Sequence, residues 1–429
     1  MAREKRSAYS QVTILPKEKQ PFSIPENWFW TDIDSINQYS GSSIDPVKQP
    51  DMIFELYSVP SSADNYPEIM RGSEIGSTKQ SVIKNDVLLC KINPRINRVW
   101  KVYQHTDHEL LASSEWIIIR NAVISSDYLM FCFRTPYFRE FMLSNVSGVG
   151  GSLMRAQPKF VKNYPIPIAP IAEQQRIVTR IESLFAKLDE AKEKAQAVVD
   201  GFELRKSAIL HKAFTGELTE KWRKENGVEL ESWEDCCIGD IFDLQAGKNI
   251  NSKEISSFST ETHCFPCFGG NGIRGYVDRY NREGEHPIIG RQGALCGNVN
   301  LASGQFYATE HAVVVSFKRK ISVSWAYYYL KFLNLNQYAT ATAQPGLAVS
   351  NIVKVHIQYV PLNEQIEISH ILDSVFAKEQ QAKEAAEAVL NQIDTMKKAI
   401  LARAFRGELG TNDPAEESAA ELLKSRLGV

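Results

Sequence analysis

The sequence is most informative first in what it lacks. No apolar run approaches the roughly 20 residues a bilayer-spanning helix needs, so a membrane protein of that kind is not expected. Charge of one sign is also missing: 49 Lys and Arg stand against 51 Asp and Glu, a net −2. That balance argues against nonspecific coating of nucleic acid but leaves room for local basic surfaces. The seven cysteines are an odd, scattered set, which suits a reducing compartment better than a disulfide framework. The opening Met1-Ala2-Arg3-Glu4-Lys5-Arg6 has no apolar stretch behind its charges, so no signal peptide is expected and the expected location is cytoplasmic.

Catalytic equipment is missing as well. There is no Gly-x-x-x-x-Gly-Lys-Ser/Thr phosphate loop. The nearest approach to the Asp/Asn-Pro-Pro-aromatic turn of an adenine methyltransferase is Asn93-Pro94-Arg95, without the second proline or the aromatic. A non-catalytic chain is therefore expected. Cys264-x-x-Cys267 stands alone, without the second spaced pair a zinc site requires, so no metal site is expected and buried free thiols are the simpler reading.

What is present is a duplication. Residues 170–218 and 361–409 align without a gap at a constant difference of 191, matching at 23 of 49 positions. Pro170, Glu173, Gln174 and Ile177 return as Pro361, Glu364, Gln365 and Ile368; Ala213-Phe214 and Gly216-Glu217-Leu218 return as Ala404-Phe405 and Gly407-Glu408-Leu409. Internal repetition sets the architecture before any local reading does. Each copy carries an apolar stripe with spacings of four and three. The first runs Ile177, Ile181, Leu184, Leu188, Ala191, Ala195, Val198, Phe202, Arg205, Ile209. The second runs Ile368, Leu372, Val375, Glu379, Ala382, Ala386, Val389, Ile393, Met396, Ile400. A repeat near 3.5 residues is the coiled-coil signature. Lys192, Glu193, Lys383 and Glu384 are expected off the seam, and Gly201 is expected to mark a bend. Two amphipathic helices on separate cores is the alternative; equal length, equal register and alanine layers favour pairing.

At 429 residues more than one core is expected. The divisions read from the sequence are an N-terminal extension 1–24, a first domain 25–169, a helical spacer 170–218, a polar linker 219–229, a second domain 230–360, a second spacer 361–409 and an acidic tail 410–429. The two domains open alike around Trp28 and Trp233 and close alike at Pro165-Ile166-Pro167-Ile168 and His356-Ile357-Gln358-Tyr359. Runs such as Val87–Cys90, Trp116–Ile119, His286–Ile289 and Ala312–Val315 read as strands, and helices follow near 125–143 and 322–334. The expected fold class is α+β: two domains with curved, mainly antiparallel sheets, joined by two long antiparallel coiled-coil helices with pseudo-twofold symmetry. A helix over 177–209 rises about 48 Å at 1.5 Å per residue, somewhat more than one DNA turn of about 34–36 Å. Two unlike domains on matching frames then suggest two different short sequences read on either side of an unread gap.

Candidate contacts follow from side-chain type. Lys91, Arg95, Asn97 and Arg98 sit just beyond a strand, where Arg suits guanine and Asn suits adenine; a hairpin touching only phosphate, or nothing, is the alternative. Gly269-Gly270-Asn271-Gly272 implies a tight loop, and Arg274, Arg291, Gln292 and His311 bring groove-reading groups, with plain structural turns as the alternative. Arg155 and Gln157 in one domain, and Gln344 and Ser350 in the other, occupy similar loops before the final strand, as phosphate or groove contacts or as turns that re-enter the helix.

With these residues in view, the chain resembles the specificity subunit of type I restriction-modification systems. The resemblance rests on the paired Pro-x-x-Glu-Gln starts at 170 and 361, the Ala-Phe-x-Gly-Glu-Leu ends at 213 and 404, and Leu218-Thr219-Glu220-Lys221-Trp222-Arg223. The segments 269–276, 289–293 and 308–312 add to it. It implies two target-recognition domains that read a bipartite asymmetric site on double-stranded DNA. It also implies docking of two methyltransferase subunits that methylate adenine at N6, with restriction and translocase subunits in the full complex. S-adenosylmethionine, ATP and Mg are expected in those partner subunits, none in this chain. A coiled-coil adaptor with two protein-binding domains is the reading from another class.

Overall fold

The computed structural model describes residues 13–148, 154–293, 295–340 and 345–421. The chain divides into two compact units, residues 1–194 with 388–429, and residues 195–387. Gln344, the glycines at 150 and 151 and the end of the tail lie outside the described residues. No helix among the described residues is long and apolar enough to cross a membrane.

In each unit the matching ends of the domain are partners. In the first, Phe29–Asp32 pairs antiparallel with Pro165–Ile168; in the second, Glu234–Cys237 pairs antiparallel with His356–Tyr359. Two-strand ribbons of this kind tolerate Pro165 and Pro167 because an edge needs no further amide donors. Between these ends the first unit holds a five-stranded sheet and a three-stranded sheet, the latter in the order Val99–Lys101, Val87–Cys90, Trp116–Ile119. The second unit holds two four-stranded sheets. One runs in the order Phe242–Ala246, Ala312–Phe317, His286–Gly290, Val299–Ala302. The pairing is antiparallel throughout except Ile53–Tyr57 with Glu109–Ala112, and Phe265–Gly269 with Gln305–Ala308. All four residues of Val87–Cys90 are buried, which fits a run of apolar residues covered on both faces rather than an alternating one. The covering helices are Ser126–Phe133, with Ser125 as its N-cap, and Val323–Phe332, with Ser322 as its N-cap.

The duplicated motif explains how the helices attach. Gln174 accepts from the Ser125 amide at 2.9 Å and donates to the Ala169 carbonyl; Gln365 accepts from the Ser322 amide at 2.9 Å and donates to the Val360 carbonyl. Each Gln thus ties the exit from the closing strand to the cap of the covering helix. The neighbouring glutamates are fully buried. Glu173 accepts from the Trp28 indole at 2.6 Å, from Thr411 and from Asn412. Glu364 accepts from the Trp233 indole at 2.9 Å, from Thr219 and from Arg223 at 2.6 Å. At the far end of each repeat a phenylalanine enters the core of its unit: Phe405 against Tyr128 at 5.0 Å, Phe214 against Tyr329 at 4.7 Å.

Helix pairing is visible inside each unit. In the second, Phe202 lies under Lys383, Arg205 bonds Glu379 at 2.8 Å, and Phe376 lies under Lys206, so numbers rise on one helix as they fall on the other. In the first, Lys397 bonds Asp189 and covers the Phe185 ring. The seam differs from the expected one in the second copy. Ala382, Val389 and Met396 are exposed, and their neighbours Lys383, Leu390 and Lys397 take the inner side. Two successive steps of four, 375 to 379 to 383, move the stripe, as a stutter does in a heptad pattern. Lys383 is therefore on the seam; its aliphatic stem packs while its ammonium sits over an aromatic face. At Gly201 the i to i−4 hydrogen bonds continue on both sides. A Cβ there would meet the Arg205 guanidinium at 2.6 Å, so the missing side chain makes room for Arg205 to reach the Val198 carbonyl and Glu379.

Two segments pack more closely than the sequence suggests; a short helical patch expected over 419–427 in the tail lies mostly outside the described residues. Residues 219–229, read as a polar linker, contain the helix Glu220–Asn226, because Arg223 must reach Glu364. The tail packs on the first unit through Arg176–Glu416 and the Ala419 amide on the Asn27 carbonyl.

Another buried carboxylate, Glu55, holds the loop that leaves Val99–Lys101. Burial alone would raise its pKa, yet the His105 amide, the Tyr57 hydroxyl and Thr106 together hold it below the usual carboxylate range. The Tyr57 hydroxyl in turn accepts from the Tyr103 and Gln104 amides.

Arg223→Met leaves the Glu364 charge buried without its cation, and a loss of about 3–5 kcal/mol is expected, read as a lower urea midpoint; adding Glu364→Gln is expected to restore part of it. Because the folded pKa of Glu55 is depressed, its contribution is present above the unfolded value of 4.5 and lost as pH falls through the folded one. The stability gap between the protein and Glu55→Gln is therefore expected to be full at neutral pH and to close on acidification below that value.

Candidate nucleic-acid interface

The candidate residues of the first unit lie on one hairpin loop. Val87–Cys90 pairs with Val99–Lys101, and residues 91–98 form the loop between them. Its shape is set by two left-handed residues, Asn93 at φ 47° and Asn97 at φ 52°, which flank the 3-10 turn Pro94–Ile96. Asparagine tolerates that region better than other side-chain-bearing residues. The loop is held from both sides. The Lys91 amide donates to the Glu115 carbonyl, the Asn93 amide to the Met154 carbonyl at 2.8 Å, and the Ala156 amide to the Lys91 carbonyl at 2.8 Å. Arg155 is thereby brought beside Lys91, where its guanidinium pairs with Glu115 at 3.3 Å. Arg95 is exposed, and Lys91, Asn97 and Arg98 are half-buried. Gln157 is the residue before the short helix Pro158–Val161 and is half-buried, one turn beyond the loop's support.

The second unit has the same frame. His286–Gly290 pairs with Val299–Ala302, and residues 291–298 form the loop. The Arg291 amide donates to the His311 carbonyl, the Gly293 amide to the Pro345 carbonyl at 3.0 Å, and the Leu347 amide to the Arg291 carbonyl at 2.9 Å. Lys91 and Arg291 therefore hold the same position, as do Glu115 and His311. Gly293 at φ 89° and Gly297 at φ 87° stand where Asn93 and Asn97 do. Ile92 bridges Arg155, and Gln292 bridges Gly346. The loops are one backbone design carrying two unrelated sets of side chains. Sequence reasoning placed residues on both without seeing that they correspond.

Arg291 and Gln292 are exposed, and neither side chain has a hydrogen-bond partner among the described residues. Asn271 joins them. A Cβ on residue 290 would come within 1.8 Å of the Gly270 carbonyl oxygen, so only glycine lets the Gly270-Asn271 turn rest against this loop. Asn271 accepts from Asn298 at 3.0 Å. His311 contacts Glu310 at 3.1 Å. Asn271, Arg291, Gln292 and His311 are thus gathered at one end of the sheet. Arg274, exposed on the next strand, lies over Gly269, and Ser350 is exposed on the short helix Val349–Ile352; neither bonds to that cluster among the described residues. Gln344 lies outside the described residues. Burial pushes the Cys267 thiol up to about 11, while Cys264 is exposed, and no metal-like cluster of His, Cys, Asp and Glu forms among the described residues.

Sequence reasoning missed Leu295 and Asn298, which occupy the places of Arg95 and Arg98. It also missed Arg134, Arg139 and Lys398, which stand behind the first loop. The correspondence of the two loops was the signal for the first pair. For the others none was available, since they arrive from helices distant in sequence.

Comparison with known proteins agrees with this architecture. Residues 230–391 match the family model described as type I restriction modification DNA specificity domain. The chain is 51% identical over 136 residues to the type I restriction enzyme EcoprrI specificity subunit of Escherichia coli, covering 32% of this chain and 34% of that one. It is 23% identical over 384 residues to the EcoKI specificity subunit of Escherichia coli K12, covering 80% and 81%. Several curated relatives are matched over only about a third to a half of their length. The crystal structure of the HsdS subunit from Thermoanaerobacter tengcongensis superposes with a TM-score of 0.68 at 20% identity, covering 91% of this chain and 99% of that one. Its likeness establishes the shared fold. Taken with the duplicated helical segments and the paired domain frames, these matches show that residues 230–391 carry a type I restriction modification DNA specificity domain and that the chain is similar over most of its length to specificity subunits of type I restriction enzymes.

Proposed function

We propose that the chain is the non-catalytic, DNA-reading subunit of a type I restriction-modification complex, and that it recognises a bipartite, asymmetric site. One observation carries this reading. Two loops anchored by three matching main-chain bonds, 91–98 and 291–298, present different side chains: Lys91, Arg95, Asn97 and Arg98 on one, Arg291, Gln292 and Asn298 on the other. A fixed frame with variable groups is what two unlike half-sites require, since Arg, Asn and Gln discriminate base edges by their donor and acceptor patterns. Rigid support matters because a reading side chain on a mobile backbone loses discrimination.

In this reading the helical repeats act as spacer and as two quasi-equivalent docking surfaces for methyltransferase subunits. Those partners flip an adenine on each side and methylate it at N6 with S-adenosylmethionine. Restriction subunits, with ATP and Mg, act when the site is unmodified. The chain selects the address, and its partners do the chemistry.

Selection from random duplexes is expected to enrich a two-part sequence, with affinity falling steeply as salt rises. Arg291→Ala is expected to relax one half-site only, at a cost of about 1–3 kcal/mol, and to leave the other unchanged. Exchanging residues 230–360 for the corresponding region of a relative is expected to replace that same half. A chain that enriches no sequence and shows no salt-dependent duplex binding would be an adaptor rather than a reader.

A further inference from the structure

Behind each hairpin loop lies a polar cleft walled partly by the loop and partly by residues to which base reading assigns no role. In the first unit it has a volume of about 570 Å3 and lies between the loop and the helix Pro136–Ser144. Arg98, Arg134, Arg139 and Lys398 line it, with Glu140 as the one carboxylate on its wall. None of the four cations takes part in an ion pair among the described residues. Arg134 donates to the Val99 carbonyl at 2.9 Å, and Arg139 donates to the Arg95 carbonyl. The Arg139 Nε is buried and has no partner among the described residues.

The cleft recurs in the second unit at the same place, with a volume of about 350 Å3, lined by Gly297, Asn298, Lys331, Asn334 and Asn336. Asn336 donates to the Cys296 carbonyl at 2.8 Å, much as Arg139 serves the first loop. Recurrence on a shared frame argues for a shared task, and the cation count argues for unequal strength.

We propose that the first unit's cleft seats a phosphate of bound duplex DNA beside the half-site read by residues 91–98, held by Arg139 and Lys398. This rests on the DNA reading above. A guanidinium fork matches the oxygens of a phosphodiester, and Lys398 adds a point charge from the spacer helix. Arg139 then braces the loop through one guanidinium nitrogen, which donates to the Arg95 carbonyl, and turns the rest of its charge toward the cleft and the backbone of the DNA. Such a contact fixes register and orientation and carries no sequence information.

The test uses the full chain, its selected duplex and an unrelated duplex, with binding measured by fluorescence anisotropy between 50 and 200 mM salt. Lys398→Ala removes no bond within the protein among the described residues, and Arg139→Gln removes the fork. Each is expected to weaken both duplexes by the same factor. Each is also expected to lower the slope of log affinity against log salt by about 0.9, so that the deficit shrinks roughly 3.5-fold across that range. Unchanged slopes in variants of a chain that binds DNA normally overturn the cleft and leave the function standing. Failure of the unaltered chain to bind DNA overturns the function itself. A defect confined to particular bases would make these residues readers, and lost association with a methyltransferase subunit at unchanged slope would assign the cleft to a protein; either outcome overturns the proposal.

Discussion

A buried carboxylate at the start of each spacer helix is the contact on which the rest depends. Glu173 and Glu364 have no exposure to solvent, and a carboxylate there is stable only if its lone pairs are met. Each is met by three groups from separate stretches: the indole that opens its domain, and two side chains from the segment that follows a spacer helix. One group therefore fixes where a domain begins, where a helix starts and where a chain segment returns. The two solutions differ in charge. Arg223 neutralises Glu364 directly, whereas Glu173 relies on Thr411 and Asn412, with Arg176 near enough for Glu173 to raise its pKa, after the larger effect of Glu416. Breaking the first leaves a bare ion, and breaking the second leaves fewer hydrogen bonds.

The adjacent glutamine has the same logic in neutral form. Its amide spans an acceptor and a donor that would otherwise be unpaired at the junction of strand and helix. This accounts for a Glu-Gln pair occurring twice where so much of the surrounding domain differs. Residues at the junction answer to backbone groups that both units share. Residues on the loops answer to whatever lies outside, and there the units part.

The repeats, their helical state, the strand runs and the domain ends were legible in the sequence because each is written in periodicity or identity. The pairing of opening and closing strands was hinted at by their likeness, and Phe29 opposite Ile168 makes it literal. The equivalence of the two loops was hidden for a physical reason. Asn93 and Gly293, or Asn97 and Gly297, satisfy one left-handed backbone by different means, so the frame persists while identity vanishes. The seam was misread at Lys383 because a long aliphatic stem packs like an apolar residue while its charge stays wet. The linker was misread because Arg223 looks like a surface cation until its partner 141 residues away is known.

Near-neutral net charge and four cations in one cleft without an ion pair among the described residues are two sides of the same design. A chain carrying positive charge everywhere would hold any duplex and gain little from its loops, since phosphate attraction is indifferent to sequence. Here much of the charge is paired: Arg120 with Asp86, Lys101 with Asp127, Arg279 with Glu254, Arg319 with Glu234. If the loop reads DNA as proposed, cations beside it would add attraction only where the loop is already seated. Four cations line the first cleft and Lys331 alone lines the second, so under the DNA reading proposed above the first unit would supply more of the grip and the second would depend more on its base contacts. On that reading, asymmetry of charge on a repeated frame would let one chain divide holding from reading without changing its fold.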